Sequence, residues 1–240
     1  MADVEAFYLK NKTFKAADIL WNNIPKISDN AAVIFEPRIY PNFSFTLNNF
    51  VHFLSEHNFS FYIFHSKENE KQVMDITKGR QNINYICFSE GNSTRDIYND
   101  TLKSVEFYES IPCKRMLIFQ TDSWIRTKGL EKFMDYGYIG APHRNWEGTS
   151  MNGGLSLRNK QVCIDIIKKL GEEGKKTHHW EDTFFSVGCF EFFPELYPTL
   201  DVAKQFSSEW MFDSRSIGTH KFWYTVIDPQ QRKHLMTITL

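Results

Sequence analysis

The chain has 240 residues, enough for one sizeable core or one α/β domain with a small appendage. Its formal net charge of -1 supplies no bulk field toward nucleic acid or an anionic membrane, and no apolar run is long enough to span a bilayer, so neither partner is expected. Aromatic residues make up 16%, with 22 Phe among them, which predicts a packed core with aromatic-lined grooves.

Residues 1–30 read as an extension packed on a single domain spanning 31–240. The opening Met-Ala-Asp-Val-Glu has neither the basic nor the apolar region of a secretory signal, so a cytoplasmic, reducing location is the expectation. Cys87, Cys113, Cys163 and Cys189 form no Cys-x-x-Cys pair; buried free thiols are expected, with no disulfide framework and no zinc site. Residues 14–22 are weakly helical, and Pro25 with 28–30 marks a turn. Apolar 31–35 predicts a strand ending in Glu36, Pro37 and Arg38. Phe43, Leu47, Phe50, Val51 and Leu54 recur at helical spacing across 42–55. A second strand over 59–64 ends in His65 and Ser66; 70–78 predicts a helix and 84–88 a third strand. One helix is expected over 94–110, with Ile97, Leu102, Val105 and Tyr108 on a face. The central strand, 116–120, has four apolar residues in a row that run into Gln120, Thr121 and Asp122. This alternation predicts a parallel sheet with right-handed crossovers over 31–124.

The second half, 125–240, changes texture. Residues 136–142 read as a short strand leaving the central sheet, and 143–150 as a polar loop holding Trp146. Asn152, Gly153 and Gly154 read as a tight turn feeding 155–158. An amphipathic helix is expected over 161–170, then a charged, Gly-punctuated connection over 171–177. Glu181 and Asp182 open a helix carrying Phe184, Phe185 and Val187; one more turn follows at 203–206, and Gly218, Thr219 and His220 lie in the tail.

Each polar candidate has two readings. Asp122 at a strand end is a cap or turn residue, or an oxygen ligand for Mg²⁺ or Mn²⁺ at the edge where α/β sheets bind ligands. His220 alone reads more readily as a hydrogen-bonded structural histidine than as a second ligand. Glu181 and Asp182 are favourable charges on a helix dipole, or Asp182 is a general base. Gly153 and Gly154 form a turn, or let backbone amides approach a sugar or phosphate. Arg38 and Arg158 neutralise phosphate or pair on the surface, and Trp146 and Trp180 are core or sugar-stacking platforms.

Taken together, 34–38 (Ile-Phe-Glu-Pro-Arg), 117–122 (Leu-Ile-Phe-Gln-Thr-Asp), 138–142 (Tyr-Ile-Gly-Ala-Pro), 152–158 (Asn-Gly-Gly-Leu-Ser-Leu-Arg), 181–185 (Glu-Asp-Thr-Phe-Phe) and 218–220 (Gly-Thr-His) carry a resemblance. Over about residues 31 to 224 the chain resembles a family of small glycosyltransferase-like domains, long carried as a domain of unknown function. More distantly it resembles the GT-A glycosyltransferases. The resemblance implies an α/β, Rossmann-like, mostly parallel central sheet flanked by helices, with a smaller acceptor-side sheet. It makes 31–124 a nucleotide-binding half and 125–240 an acceptor half. It also implies a nucleotide-sugar donor, with a UDP-sugar favoured, and a glycan or other hydroxyl acceptor.

In that reading Asp122 and His220 hold Mn²⁺ or Mg²⁺. Phe35, Glu36, Arg38, His65, Ser66, Gln120, Thr121, Asp122, Gly153, Gly154 and Arg158 hold the donor. Asp182 is the base of an inverting transfer, with Glu181 beside it on the acceptor hydroxyls, and the Trp146 loop and 171–177 serve acceptor choice or closure. One departure stands out: the family's Asp-x-Asp motif is here Gln120, Thr121, Asp122. The alternatives are a non-catalytic nucleotide-sugar or glycan binding module, which Gln120 favours, and a metal-dependent phosphoesterase, for which the chain offers few ligands.

Overall fold

The computed structural model describes residues 2–11, 13–144 and 149–239; Trp146 lies outside the described residues. Two helices open the chain, α1 (Ala2–Lys10) and α2 (Asp18–Asn22). Strand and helix then alternate as β1 (Asn30–Phe35), α3 (Phe43–Leu54), β2 (Phe59–Ser66), α4 (Glu70–Thr77) and β3 (Asn84–Ser89). Next come α5 (Arg95–Leu102), α6 (Val105–Glu109) and β4 (Arg115–Phe119). These four strands pair in parallel, β1 lying between β2 and β4, and Ile34 sits level with both Ile63 and Phe119. Every residue of β2 is buried, as a parallel strand covered on both faces requires. The register brings the residues after β1, β2 and β4 to one edge.

The helix expected over 94–110 is two helices. Ser104 takes the N–H of Phe107 to cap α6, and the break turns Lys103 inward, where its ammonium donates to the carbonyl of His179 at 2.8 Å. Residues 171–177 are helical rather than a connection: α7 (Lys160–Thr177) continues past a kink at Gly171, whose φ is 57°. Cys87 is exposed on the outer strand β3, against the expectation of burial, whereas Cys163 and Cys189 are buried.

The second half folds back onto the same sheet. β5 (Ser123–Ile125) leaves it, but β6 (Tyr138–Pro142) does not. β6 and β7 (Met151–Asn159) complete a six-stranded sheet of order β3-β2-β1-β4-β7-β6, in which β7 runs antiparallel to both neighbours. Asn152, Gly153 and Gly154 are therefore strand, not turn. Their glycines serve close approach: a Cβ at Gly153 would stand 2.0 Å from Glu181 Oε1, and one at Gly154 2.3 Å from His220 Nε2. After α8 (Glu181–Phe192) and α9 (Leu200–Phe206), β8 (Ser207–Ser208) and β9 (Gly218–His220) join β5 in a three-stranded sheet of order β5-β9-β8. α10 (Pro229–Leu235) closes the fold. No helix among the described residues is long and apolar enough to cross a membrane.

The main core fills both faces of the large sheet, and a second cluster lies behind the small one. There Phe7 of α1 stacks on Trp124 of β5 at 4.6 Å, with Phe45, Phe222 and Leu235 around them. The extension is thus an integral wall of the region that carries β5 and β9. Phe7→Ala is expected to cost about 3 kcal/mol of stability, read from urea unfolding, with red-shifted Trp124 emission in the native state. An unchanged unfolding midpoint would show α1 to be dispensable.

Candidate functional site

The common edge of β1 and β4 opens into a cleft of 660 Å³, closed on its far sides by the start of α8 and by the end of β9. Its first wall follows β1. Glu36, almost fully buried, accepts from the Arg38 guanidinium through Nε and Nη2, each at 2.8 Å, and from Thr121 Oγ1 at 3.2 Å. It brackets the two loops together while the Arg38 side chain remains half-exposed at the cleft. His65 and Ser66 support this loop from beneath. Ser66 Oγ donates to the Pro37 carbonyl at 2.6 Å, and both residues are buried without lining the cleft.

The second wall follows β4. Gln120 donates its backbone N–H to the Gly154 carbonyl at 2.9 Å and its side-chain amide to the Tyr98 hydroxyl at 3.2 Å. Its Oε1 faces His220 Nε2 at 3.2 Å. Asp122 Oδ1 lies 3.1 Å from the same nitrogen, and Glu209 Oε2 lies 3.3 Å from His220 Nδ1. The result is a buried chain, Asp122–His220–Glu209. Asp122 Oδ1, His220 Nδ1 and Glu209 Oε2 are sealed from solvent without a well-directed hydrogen bond. Burial by itself would lower the His220 pKa, but the carboxylates of Asp122 and Glu209 push it up to about 10. Burial would raise Asp122; the charge and proton of His220, with Lys221, hold it below the usual carboxylate range instead. Among the described residues no three His, Cys, Asp or Glu side chains are grouped to hold a metal ion. Asp122 Oδ1 and the Gln120 amide oxygen converge on the same His220 nitrogen, at 3.1 and 3.2 Å.

The third wall is the N-terminus of α8. Asp182 Oδ1 accepts the Thr183 N–H at 2.7 Å, and Oδ2 lies 3.9 Å from His143 Nε2. Burial would raise the Asp182 pKa, yet His143 and the Thr183 N–H hold it below the usual range. Glu181 turns the other way. It pairs with Arg158 at 2.8 Å, and burial pushes its pKa up to about 7 against the pull of that guanidinium. Arg158 is 0% exposed: it donates to Ser156 Oγ at 2.9 Å and to the Tyr108 hydroxyl at 3.2 Å, over the rings of Tyr138 and Phe185. It is neither a phosphate clamp in the cleft nor a surface partner. Trp180 is half-exposed at the cleft with the Arg95 guanidinium 5.4 Å from its ring, so it is not core.

The fold thus brings together Phe35, Glu36, Arg38, Gln120, Thr121, Asp122, Gly154, Glu181, Asp182 and His220, and leaves His65, Ser66, Gly153 and Arg158 behind the walls. Sequence reasoning missed Tyr98, His143, Glu209 and Lys221, which also line the cleft. Only Lys221, next to His220, carried a signal; the others stand in irregular or helical stretches with no spacing rule.

A Rossmann-like sheet with a ligand-sized cleft at its carboxyl edge and a small second sheet beside it is the GT-A fold. The likeness to one solved structure, with a TM-score above 0.5, shows the same. The galactosyltransferase LgtC, crystallised with donor and acceptor sugar analogs, matches over 88% of this chain and 84% of its own, with 14% identity and a TM-score of 0.53. Apo GlyE of Streptococcus pneumoniae TIGR4 matches over 80% of this chain and 54% of its own, at 13% identity and a TM-score of 0.49. Apo mouse xyloside xylosyltransferase 1 matches over 84% and 100%, at 10% identity and a TM-score of 0.49. No curated protein matches the chain. A family profile described as "Protein of unknown function (DUF5672)" matches residues 82–220, more than half of the sequence, and the chain belongs to that family.

The Arg158–Glu181 pair makes a direct prediction. Arg158→Met leaves Glu181 buried without its partner and is expected to cost about 3–5 kcal/mol. Adding Glu181→Gln should recover part of that loss. Urea denaturation of the two variants checks the order; equal stabilities would show that the charge on Glu181 is not what Arg158 compensates.

Proposed function

We propose that the protein is a glycosyltransferase that moves a sugar from a nucleoside-diphosphate sugar, by preference a UDP-sugar, to a hydroxyl of a glycan or other acceptor. One observation carries the reading. A single 660 Å³ cleft at the sheet's carboxyl edge holds both the polar cluster of Gln120, Asp122 and His220 and the carboxylate of Asp182. The GT-A fold supports it, and LgtC with its donor and acceptor sugar analogs supplies the two ligand classes assigned to this cleft.

Mn²⁺ or Mg²⁺ fits the residues present. Asp122 Oδ1 and the Gln120 amide oxygen both face His220 Nε2, at 3.1 and 3.2 Å, and the imidazole would give up the proton it holds between them when Nε2 ligates an ion. Asp122, His220 and Gln120 would hold the ion; when bound it supplies Lewis-acid stabilisation of the leaving diphosphate. Gln120 in place of a carboxylate removes one negative charge, so the set relies on diphosphate oxygens to complete it. Glu209, behind His220 Nδ1, orients the imidazole. Arg38 and Lys221 place positive charge at the cleft for the diphosphate. Asp182, ionised and fixed by the Thr183 N–H, takes the proton of the attacking hydroxyl as the anomeric carbon passes through an oxocarbenium-like state. A base acting opposite the leaving group gives inversion, and NMR of the product anomer tests that step.

The experiment is a panel of UDP-, GDP- and dTDP-sugars with Mn²⁺ and a set of glycan acceptors, read as free nucleotide released. Asp182→Asn is expected to fold normally, bind donor with near wild-type affinity and lose at least ~10²-fold in turnover. Wild-type turnover in that variant would remove Asp182 from the role of base. Asp122→Ala is expected to abolish the Mn²⁺-dependent part of nucleotide binding in calorimetry. Equal wild-type affinity in Mn²⁺ and in EDTA would remove the metal from the reading. The second reading, a non-catalytic nucleotide-sugar binder, rests on Gln120, whose amide is engaged by Tyr98 and His220; nucleotide binding without release by any acceptor would select it.

A further inference from the structure

Beside Asp182 the cleft wall holds a buried polar atom to which no role has been assigned. His143 follows β6 and lines the cleft. Its Nε2 is sealed from solvent and has no hydrogen-bond partner among the described residues, although the side chain as a whole is 33% exposed. A buried nitrogen left without a partner costs free energy, so native structures keep few of them, often at catalytic sites. This one faces Asp182 Oδ2 at 3.9 Å, beyond hydrogen-bonding distance. The other oxygen, Oδ1, is already held by the Thr183 N–H at 2.7 Å. Oδ2 is therefore the oxygen left for the acceptor hydroxyl, and the sealed imidazole nitrogen stands behind it.

The charges around the pair follow the same arrangement. Three elements present charged groups to His143: α8 with Asp182, the residue just past β8 with Glu209, and β9 with His220. Burial by itself would lower the imidazole pKa; Asp182 and then Glu209 raise it above its ordinary value, against the opposing charge of His220. Asp182 is held below the usual carboxylate range. A proton that reaches this pair is thus better placed on the imidazole than on the carboxylate.

We propose that Asp182 and His143 act as a two-residue base, in which Asp182 Oδ2 takes the proton of the attacking hydroxyl and passes it to His143 Nε2. The hydroxyl oxygen keeps the electron pair of its broken O–H bond and forms the new bond to the anomeric carbon. The bond from that carbon to the diphosphate breaks, and its electron pair leaves with the diphosphate. The proton ends on the imidazole and Asp182 is a carboxylate again, so an ion pair replaces two acceptors that faced each other. The exposed part of the His143 side chain gives the proton a route to solvent. His143 touches no substrate: it is a positioning residue that also stores the proton. The proposal rests on the glycosyltransferase reading and deepens it. The pair accepts a proton only while the imidazole is neutral, so turnover rises with pH through the raised His143 value. With Asp182 as a lone base, turnover would fall only at the acid end of the carboxylate range.

The test uses the full chain, with the donor and acceptor that give nucleotide release in the panel of UDP-, GDP- and dTDP-sugars. UDP with Mn²⁺ in calorimetry reads the donor site, and circular dichroism confirms that each variant is folded. His143→Gln keeps a polar side chain that cannot accept a proton. It is expected to bind UDP as wild type and to lose about 10²-fold in kcat with little change in KM. His143→Ala is expected to lose as much and to regain at least about 10-fold when free imidazole is added, a gain that a packing defect does not show. Wild-type kcat/KM is expected to fall toward acid with a midpoint above pH 6.5. An NMR titration needs no substrate: the His143 signal, identified by its loss in His143→Gln, is expected to titrate above pH 6.5 in wild type and lower in Asp182→Asn. Wild-type turnover in His143→Gln, no gain from imidazole, an acid midpoint below about pH 5, or a His143 midpoint indifferent to Asp182→Asn would each overturn the relay and leave the transferase reading standing. A wild-type chain that releases nucleotide to no acceptor removes both.

Discussion

The buried guanidinium of Arg158 is the constraint on which the site depends. A fully buried cation must be paired and hydrogen-bonded, and Arg158 meets that demand with Glu181, Ser156 and Tyr108, beneath the rings of Tyr138 and Phe185. Those partners come from β7, α6, β6 and the first turn of α8. Satisfying one charge therefore fixes where α8 begins relative to the sheet. Asp182 is the next residue after Glu181, so its place in the cleft is set by the pair behind it. Gly153 is part of the same solution, because any side chain there would occupy the space of the Glu181 carboxylate.

A second buried charge cluster ties the small sheet to the large one. β5 leaves the edge of the sheet right after Gln120, Thr121 and Asp122, and pairs with β9 so that Ser123 stands opposite His220. The antiparallel register carries the imidazole back to Asp122, over Gly154, whose missing Cβ leaves room for the ring. Glu209, just past β8, completes the chain from behind. Three strands of the small sheet are short, and their stability comes from the aromatic cluster of Phe7, Phe45, Trp124 and Phe222 beneath them. The N-terminal helix thereby supports the position of His220 without touching the cleft.

The sequence by itself determined the parallel half of the fold. The runs at 31–35 and 116–119 are strands because no polar residue interrupts them, and 59–64 holds only Ser60 among apolar and aromatic residues; the period of Phe43, Leu47, Phe50 and Leu54 is that of a helix, which the fold then buries on nearly every side. It also determined that Gln120, Asp122, Asp182 and His220 were candidates, because strand ends and helix starts are readable and the ligand edge of an α/β sheet follows from them. Tertiary structure decided the rest. Asn152, Gly153 and Gly154 carry the local signature of a turn, and only their place within β7, between Met151 paired to β6 and Leu155 paired to β4, makes them strand. Arg158 looks like a surface or phosphate-binding arginine until the sheet buries it. Glu209 and His143 have no local pattern at all: their meaning lies in distances to His220 and Asp182 that span sequence separations no periodicity encodes. Local pattern is set by the chain's own geometry over a few residues, whereas a buried charge acquires its partner only when distant elements pack.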